Sequence, residues 1–98
     1  MTKADILTIL KIDLEIASAM TSRDALLNNL IDLAVSAITK EGITLSSLYT
    51  TEEGTLVEMY AAFLYRKRKE NTVSMPRSLR YLLNNMLLSQ KAKEESNG

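Results

Sequence analysis

The stretch Leu56-Val57-Glu58-Met59-Tyr60-Ala61-Ala62-Phe63-Leu64-Tyr65 runs unbroken into Arg66-Lys67-Arg68-Lys69 and is followed by Met75-Pro76-Arg77-Ser78-Leu79-Arg80. On a helical wheel its apolar side chains cover most of the circumference, and Glu58 and the basic cluster are the positions that ask for water. One neighbouring helix cannot cover such a surface. In a chain of 98 residues, another subunit is expected to supply part of the cover. The helix is predicted to begin after Thr50 or Thr51, with Glu52 and Glu53 in its first turn and Arg66 to Lys69 in its last, matching the helix dipole at both ends. Gly54 weakens that first turn.

Working outward, Thr2 and Asp5 form an N-cap pair ahead of Ile6, Leu7, Ile9 and Leu10, a short amphipathic helix expected to end near Lys11. Ile12, Leu14 and Ile16 then alternate with charged residues. This period of two is read as a tight, extended connection, although the same residues could continue the helix. Thr21 or Ser22 is the expected cap of a second helix, in which Leu26, Leu27, Leu30, Ile31, Leu33, Ala34, Ala37 and Ile38 share one arc. Gly42 ends it, as the residue best able to take the left-handed conformation past a helix terminus. Ile43 to Thr51 read as a partly buried loop.

Pro76 suits the first position of a fourth helix, where its missing N–H would be unpaired anyway. That helix is expected to run to about Gln90, with Leu79, Leu82, Leu83, Met86 and Leu87 as its core stripe. Tyr81 and Leu88, seven residues apart, lie off that stripe beside Asn84 and Asn85. Residues 91–98 read as a polar, flexible tail. The fold class is therefore all-α, with residues 1–90 forming one small domain of about four helices: a short N-terminal helix, two long central helices and a C-terminal helix.

A domain of this size buries only roughly 60–65% of the surface that its unfolded chain exposes. Yet 46% of the residues are hydrophobic, and the excess points to an interface. Twelve basic residues balance twelve acidic ones, so no net field draws the whole chain toward nucleic acid or an anionic membrane. The start lacks the features of a signal peptide, and no run approaches the ~18 apolar residues of a membrane span; the chain reads as soluble and intracellular. Histidine and cysteine are absent, which removes the commonest general base, the usual transition-metal ligands and the thiol nucleophile. The three glycines form no phosphate-cradling loop. No enzymatic role, cofactor or metal is expected.

Arg66, Lys67, Arg68 and Lys69, extended across the turn by Arg77 and Arg80, admit two readings. They form a solvated helix end, or they form a patch toward an acidic protein or the phosphates of a duplex. The run holds no aromatic residue to stack a base, which argues against single-strand recognition. Leu48, Tyr49, Tyr60, Tyr81 and Leu88 are the candidate interface residues. Tyr60 and Tyr65 suit core or interface better than ligand contact, and Tyr81 is the best interface candidate.

The order of segments, Ala4-Asp5-Ile6-Leu7-Thr8-Ile9-Leu10-Lys11, then Leu30-Ile31-Asp32-Leu33-Ala34, then Val57 to Lys69, then Met75-Pro76-Arg77-Ser78-Leu79-Arg80, resembles the head–tail connector proteins of tailed bacteriophages, a family of small DNA-packaging or head-completion proteins. The likeness spans residues 3 to 90. It rests on helical pattern and on pairing Tyr60-Ala61-Ala62-Phe63-Leu64-Tyr65-Arg66 with the Met75-Pro76-Arg77 turn, not on a catalytic signature. The resemblance implies a structural virion protein made in the cytoplasm of a bacterial host. It would form a homo-oligomeric ring beneath the portal, continue the DNA channel after packaging, and meet the portal protein and a stopper or tail-completion protein. Contact with the packaged double-stranded DNA would be transient and nonspecific, with no membrane involved. Tyr81 and Leu88 are then expected at a subunit interface, the loop from Gly42 to Thr51 toward the channel or the next ring, and the tail from Lys91 toward the portal.

The alternative is a small helical DNA-binding regulator that places residues 75–88 in the major groove as a recognition helix. Against it stand the neutral total charge and a connection from Lys69 to Pro76 longer than the usual turn. A helical adaptor or toxin-neutralising partner is a third possibility.

Overall fold

Four helices succeed one another in the computed structural model, which describes residues 1–97 and the side chains of residues 1–94: α1 (Lys3–Asp13), α2 (Asp24–Lys40), α3 (Thr51–Lys69) and α4 (Arg77–Asn97). No strand occurs among the described residues, and the all-α, four-helix expectation holds. α1, α2 and α4 all pack against α3, burying Leu56, Val57, Ala61, Ala62, Phe63 and Tyr65. Helices of the same chain thus cover most of the apolar run, while Met59, Tyr60 and Leu64 are only partly buried. The result is a slab of 48 × 31 × 18 Å, whose thinnest dimension is about two helix diameters.

The Thr2–Asp5 cap that the sequence predicts for α1 is present, and α3 begins after Thr50 as expected. Thr2 Oγ1 accepts from the Asp5 N–H at 3.2 Å, and an Asp5 carboxylate oxygen accepts from the Thr2 N–H at 2.9 Å. These bonds from Thr2 hold the Asp5 carboxyl below its usual pKa. Thr50 and Glu53 repeat the reciprocal arrangement at the start of α3. Gly54 is more than a weak point in that turn. A Cβ there would come within 2.1 Å of the Met1 sulfur, so the missing side chain is the space that Met1 fills.

The connection after α1 corrects the sequence reading. The helix continues to Asp13 and ends at Leu14, with Glu15 in the left-handed region at φ 58°. The Ile16 N–H donates to the Lys11 carbonyl at 2.8 Å and the Glu15 N–H to that of Ile12 at 3.1 Å. This pair of bonds is a Schellman termination, so the alternation of Ile12, Leu14 and Ile16 records a helix end and not an extended segment. Ile12 points to solvent at 71% exposure, while Leu14 and Ile16 pack at the edge of the core.

Lys11 shapes the connection from α1 to α2. Its ammonium is buried and donates to the carbonyls of Ser18 at 3.1 Å and Met20 at 2.7 Å and to Asp24 Oδ1 at 2.9 Å. All three protons of the group are used, and the connecting chain is folded down around them. Neither Thr21 nor Ser22 caps α2. The cap position belongs to Arg23, whose side chain reaches the Tyr65 hydroxyl instead, while Asp24 places its charge in the first turn and meets Lys11.

At the other end of α2, Gly42 comes after the cap with φ 101°, as its lack of a side chain allows. The arc of α2 is narrower than expected, because Leu33 is half exposed. In α4, Leu79 and Leu83 are buried and Met86 and Leu87 lie at the core edge, but Leu82 is 39% exposed. α4 rests chiefly on α3, and a helix with one main neighbour buries a single strip. It starts one residue after Pro76, whose carbonyl accepts from Arg80, and continues to Asn97 past the expected end at Gln90. Lys, Ala and Glu in that extension are strong helix formers. Gly98, the end of the expected tail, lies outside the described residues.

Two substitutions test this account by thermal and urea denaturation. Lys11→Met leaves two carbonyls and Asp24 without their donor and should lower stability by about 2–4 kcal/mol. Glu15→Gly relieves the left-handed strain and should raise stability by about 0.5–1 kcal/mol.

Candidate interaction surfaces

Three of the five apolar residues singled out as interface candidates stand in solvent: Tyr81 at 70% exposure, Leu88 at 64% and Leu48 at 64%. Tyr81 and Leu88 occupy the face of α4 turned from its buried strip, and Leu48 sits in the connection before α3. Tyr49 and Tyr60 are instead partly buried against the core. Tyr60 meets Phe63 edge to face with ring centroids 6.0 Å apart, a geometry suited to aromatic packing. Burial, reinforced by the neighbouring Glu41, pushes the Tyr60 hydroxyl pKa upward.

The structure reveals apolar exposure that the sequence reading placed in the core: Leu33 on α2 and Ile9 on α1, joined by Ile12. A shallow groove of about 360 Å³ lies between α2 and α3, with Leu26, Leu30, Leu33 and Leu64 in its lining and Lys67 and Arg68 at the same site. The periodicity of α2 could not distinguish Leu33 from its buried neighbours. The width of a buried arc depends on how many helices lie against it.

The basic residues do not form one uninterrupted patch. Arg66 pairs with Asp13 at 3.2 Å, and Arg80 pairs with Glu41 at 2.8 Å on the end of α2. Lys67 lies 5.6 Å from the Phe63 ring centre and Lys69 5.0 Å from that of Tyr65, within reach of a cation–π attraction. Burial would raise the Tyr65 hydroxyl pKa, but the bond with Lys69 and the charges of Arg23 and Lys69 outweigh it and hold the group low. Arg68 and Arg77 are exposed and make no ion pair among the described residues.

A larger open cleft of about 820 Å³ separates the start of α3 and the loop before it from α4. Thr44, Thr51, Thr55, Asn85 and Ser89 give it a polar lining, with Leu56, Leu82 and Met86 as its apolar part. The Gln90 amide bridges its two sides, donating to the Thr44 carbonyl and accepting from the Thr44 N–H, each at 2.8 Å. Glu53 is buried behind Thr50. Burial alone would raise its pKa, but bonds from Thr50 and Ser46 reverse the direction and keep it low. Because Glu53 and Thr50 cap the start of α3, those N–H groups are not open to an anion. No cluster of three or more potential metal-binding carboxylates occurs among the described residues.

Glu58 departs furthest from the sequence reading. Expected to seek water, it is buried at 6% exposure in the middle of α3, and no hydrogen-bond partner reaches its Oε2 among the described residues. Burial first, then its hydrogen bond with Asp13 and the charge of Asp13, push its carboxyl up to about 8 against the opposing pull of Arg66. An acid within the apolar run, two helical turns before an arginine, was the available signal. The packing of α1 over that position was not visible in the pattern.

No protein-family model matches the chain, and no curated protein or solved structure matches it either.

If Tyr81 and Leu88 serve contacts outside the domain, replacing both with Asp should change unfolding free energy by no more than ~0.5 kcal/mol per site. Circular dichroism should show unchanged helix content. A loss of fold in the double variant would place these side chains in the domain's own packing.

Proposed function

We propose that this chain is a structural assembly subunit, the repeating unit of a head–tail connector ring in a tailed bacteriophage. The observation that carries the reading is the placement of Tyr81, Leu88 and Leu48 in solvent, on a domain whose central helix α3 is already packed against the other helices of its own chain. Leu33 in the α2–α3 groove and Ile12 on α1 add apolar surface on other elements. A closed ring joins two different faces of each subunit head to tail, and exposed apolar residues on separate helices suit that requirement. The segment order and the Met75-Pro76-Arg77 turn resemble the connector family and supply the more specific assignment.

In this reading the ring sits beneath the portal protein, receives a stopper or tail-completion protein on its other side, and surrounds the DNA path. It is a structural role without catalysis. Equal numbers of basic and acidic residues suit a channel along which a duplex slides, since few phosphates would be held by net attraction. Among the described residues no helix is long and apolar enough to cross a membrane. The DNA-reading alternative draws less support, because Arg80 near the start of the supposed recognition helix is engaged by Glu41.

Native mass spectrometry over a wide concentration range, with and without purified portal rings, tests the proposal. A closed oligomer of one defined size is expected, free or on the portal, and Tyr81→Asp with Leu88→Asp should convert it to monomer. A chain that stays monomeric and ignores portal rings overturns it. Sequence-specific duplex binding that weakens steeply with salt would favour the regulator instead.

A further inference from the structure

The contact between the end of α1 and the middle of α3 is made by two acids. Asp13 is the last residue of α1, where the helix dipole already disfavours negative charge. It hydrogen-bonds Glu58, whose carboxyl is buried and whose Oε2 lacks any partner among the described residues. Two carboxylates cannot hydrogen-bond each other, because an ionised carboxylate only accepts. One proton removes the buried charge and supplies the missing donor. A neutral Glu58 brings its own O–H, Asp13 accepts it, and Arg66 balances the remaining charge of Asp13 from 3.2 Å.

We propose that Glu58 and Asp13 form a proton-operated latch that fastens the C-terminal end of α1 to α3. With one proton shared between them, the latch is closed. When that proton leaves to solvent, buried Glu58 becomes charged beside the solvent-exposed Asp13, two negative charges face the single guanidinium of Arg66, and the end of α1 lifts so that Glu58 can reach water. The left-handed Glu15 and the loop beyond it lie next to this contact. The fastening at Lys11, which holds Ser18, Met20 and Asp24, involves neither acid and limits how far the opening spreads.

The surrounding charges favour this assignment. α1 turns Asp13 to the site and spends Lys11 elsewhere. α2 directs Arg23 to Tyr65 and Asp24 to Lys11, and Arg80 of α4 is held by Glu41. Arg66, from α3 itself, is the cation acting on Glu58, and its ion pair is with Asp13. The carboxyl that keeps its proton to about pH 8 makes the latch respond near neutral and mildly alkaline pH. The outward residues Ile9 and Ile12 ride on the helix that it fastens, so the presentation of that surface changes with protonation. The inference stands apart from the connector reading and survives its failure.

Proton release sets the direction of the effect. The unfolded chain releases the Glu58 proton near the ordinary value for glutamate and the folded chain near pH 8. Glu58 therefore makes folding less favourable as pH rises through that interval, and adds no further change above it. Local opening behaves in the same way across the upper edge.

The test is carbon-13 NMR of the Glu58 carboxyl, combined with amide exchange of the full chain corrected for the intrinsic effect of pH. The carboxyl should titrate with a midpoint well above 6. Protection of amides near Asp13 should fall about tenfold between pH 7 and pH 9, as expected for opening linked to loss of one proton, while that of central α2 stays constant. Glu58→Gln, which keeps a neutral donor, should make protection near Asp13 independent of pH. Asp13→Asn should lower the Glu58 midpoint. A Glu58 midpoint below 5, or wild-type protection near Asp13 that does not change with pH, overturns the latch. So does a Glu58→Gln variant as pH-dependent as the wild type. If that variant does not fold, the wild-type carboxyl titration decides alone.

Discussion

A helix without a wet side can exist in so short a chain only if nearly everything else is laid against it, and α3 imposes that condition on the whole molecule. Its small residues Ala61 and Ala62 are buried and let neighbouring backbones come close, and the gap at Gly54 admits Met1. Each of the other helices answers by turning a strip of its own toward α3. Ile6 and Leu10 come from α1, Leu27, Ile31 and Ile38 from α2, and Leu79 and Leu83 from α4. Since fully burying one such side chain contributes about 1.5–3 kcal/mol, this shared set outweighs any single surface ion pair, which contributes at most ~1 kcal/mol.

Much of this was readable because it depends on local chemistry. The capping pair of Thr2 with Asp5, the start of α3 after Thr50 and the glycine after α2 each depend on residues close together in the chain. Sequence therefore displays both partners together. The same locality explains why Tyr81 and Leu88 were separable from the core strip of α4, since a phase difference on one helix needs no knowledge of its neighbours.

The features that escaped the sequence reading depend on groups far apart in the chain. Lys11 gathers two carbonyls and an aspartate from the next connection, and carbonyls carry no mark in the sequence. Glu58 looked like a solvent-facing position until α1 was seen to close over it. The same holds for Leu33 and Ile9, whose apolar character fits a buried arc although the neighbours needed to bury them are missing. Among the surface candidates, the sequence identified residue types well and their neighbourhoods poorly: Arg66 and Arg80 read as parts of one basic patch, yet each is directed toward a carboxylate on another helix.

The Gln90 bridge gives the preceding segment an unusual character. One end of the loop before α3 is fixed by buried Ile43 and the two bonds at Thr44; the other is fixed where Glu53 gathers Ser46 and Thr50. Leu48 stands between these anchorages as an apolar knob on an already fastened span. A surface that receives it meets a shape whose ordering cost was met during folding, so less of the contact energy is lost to immobilising the chain.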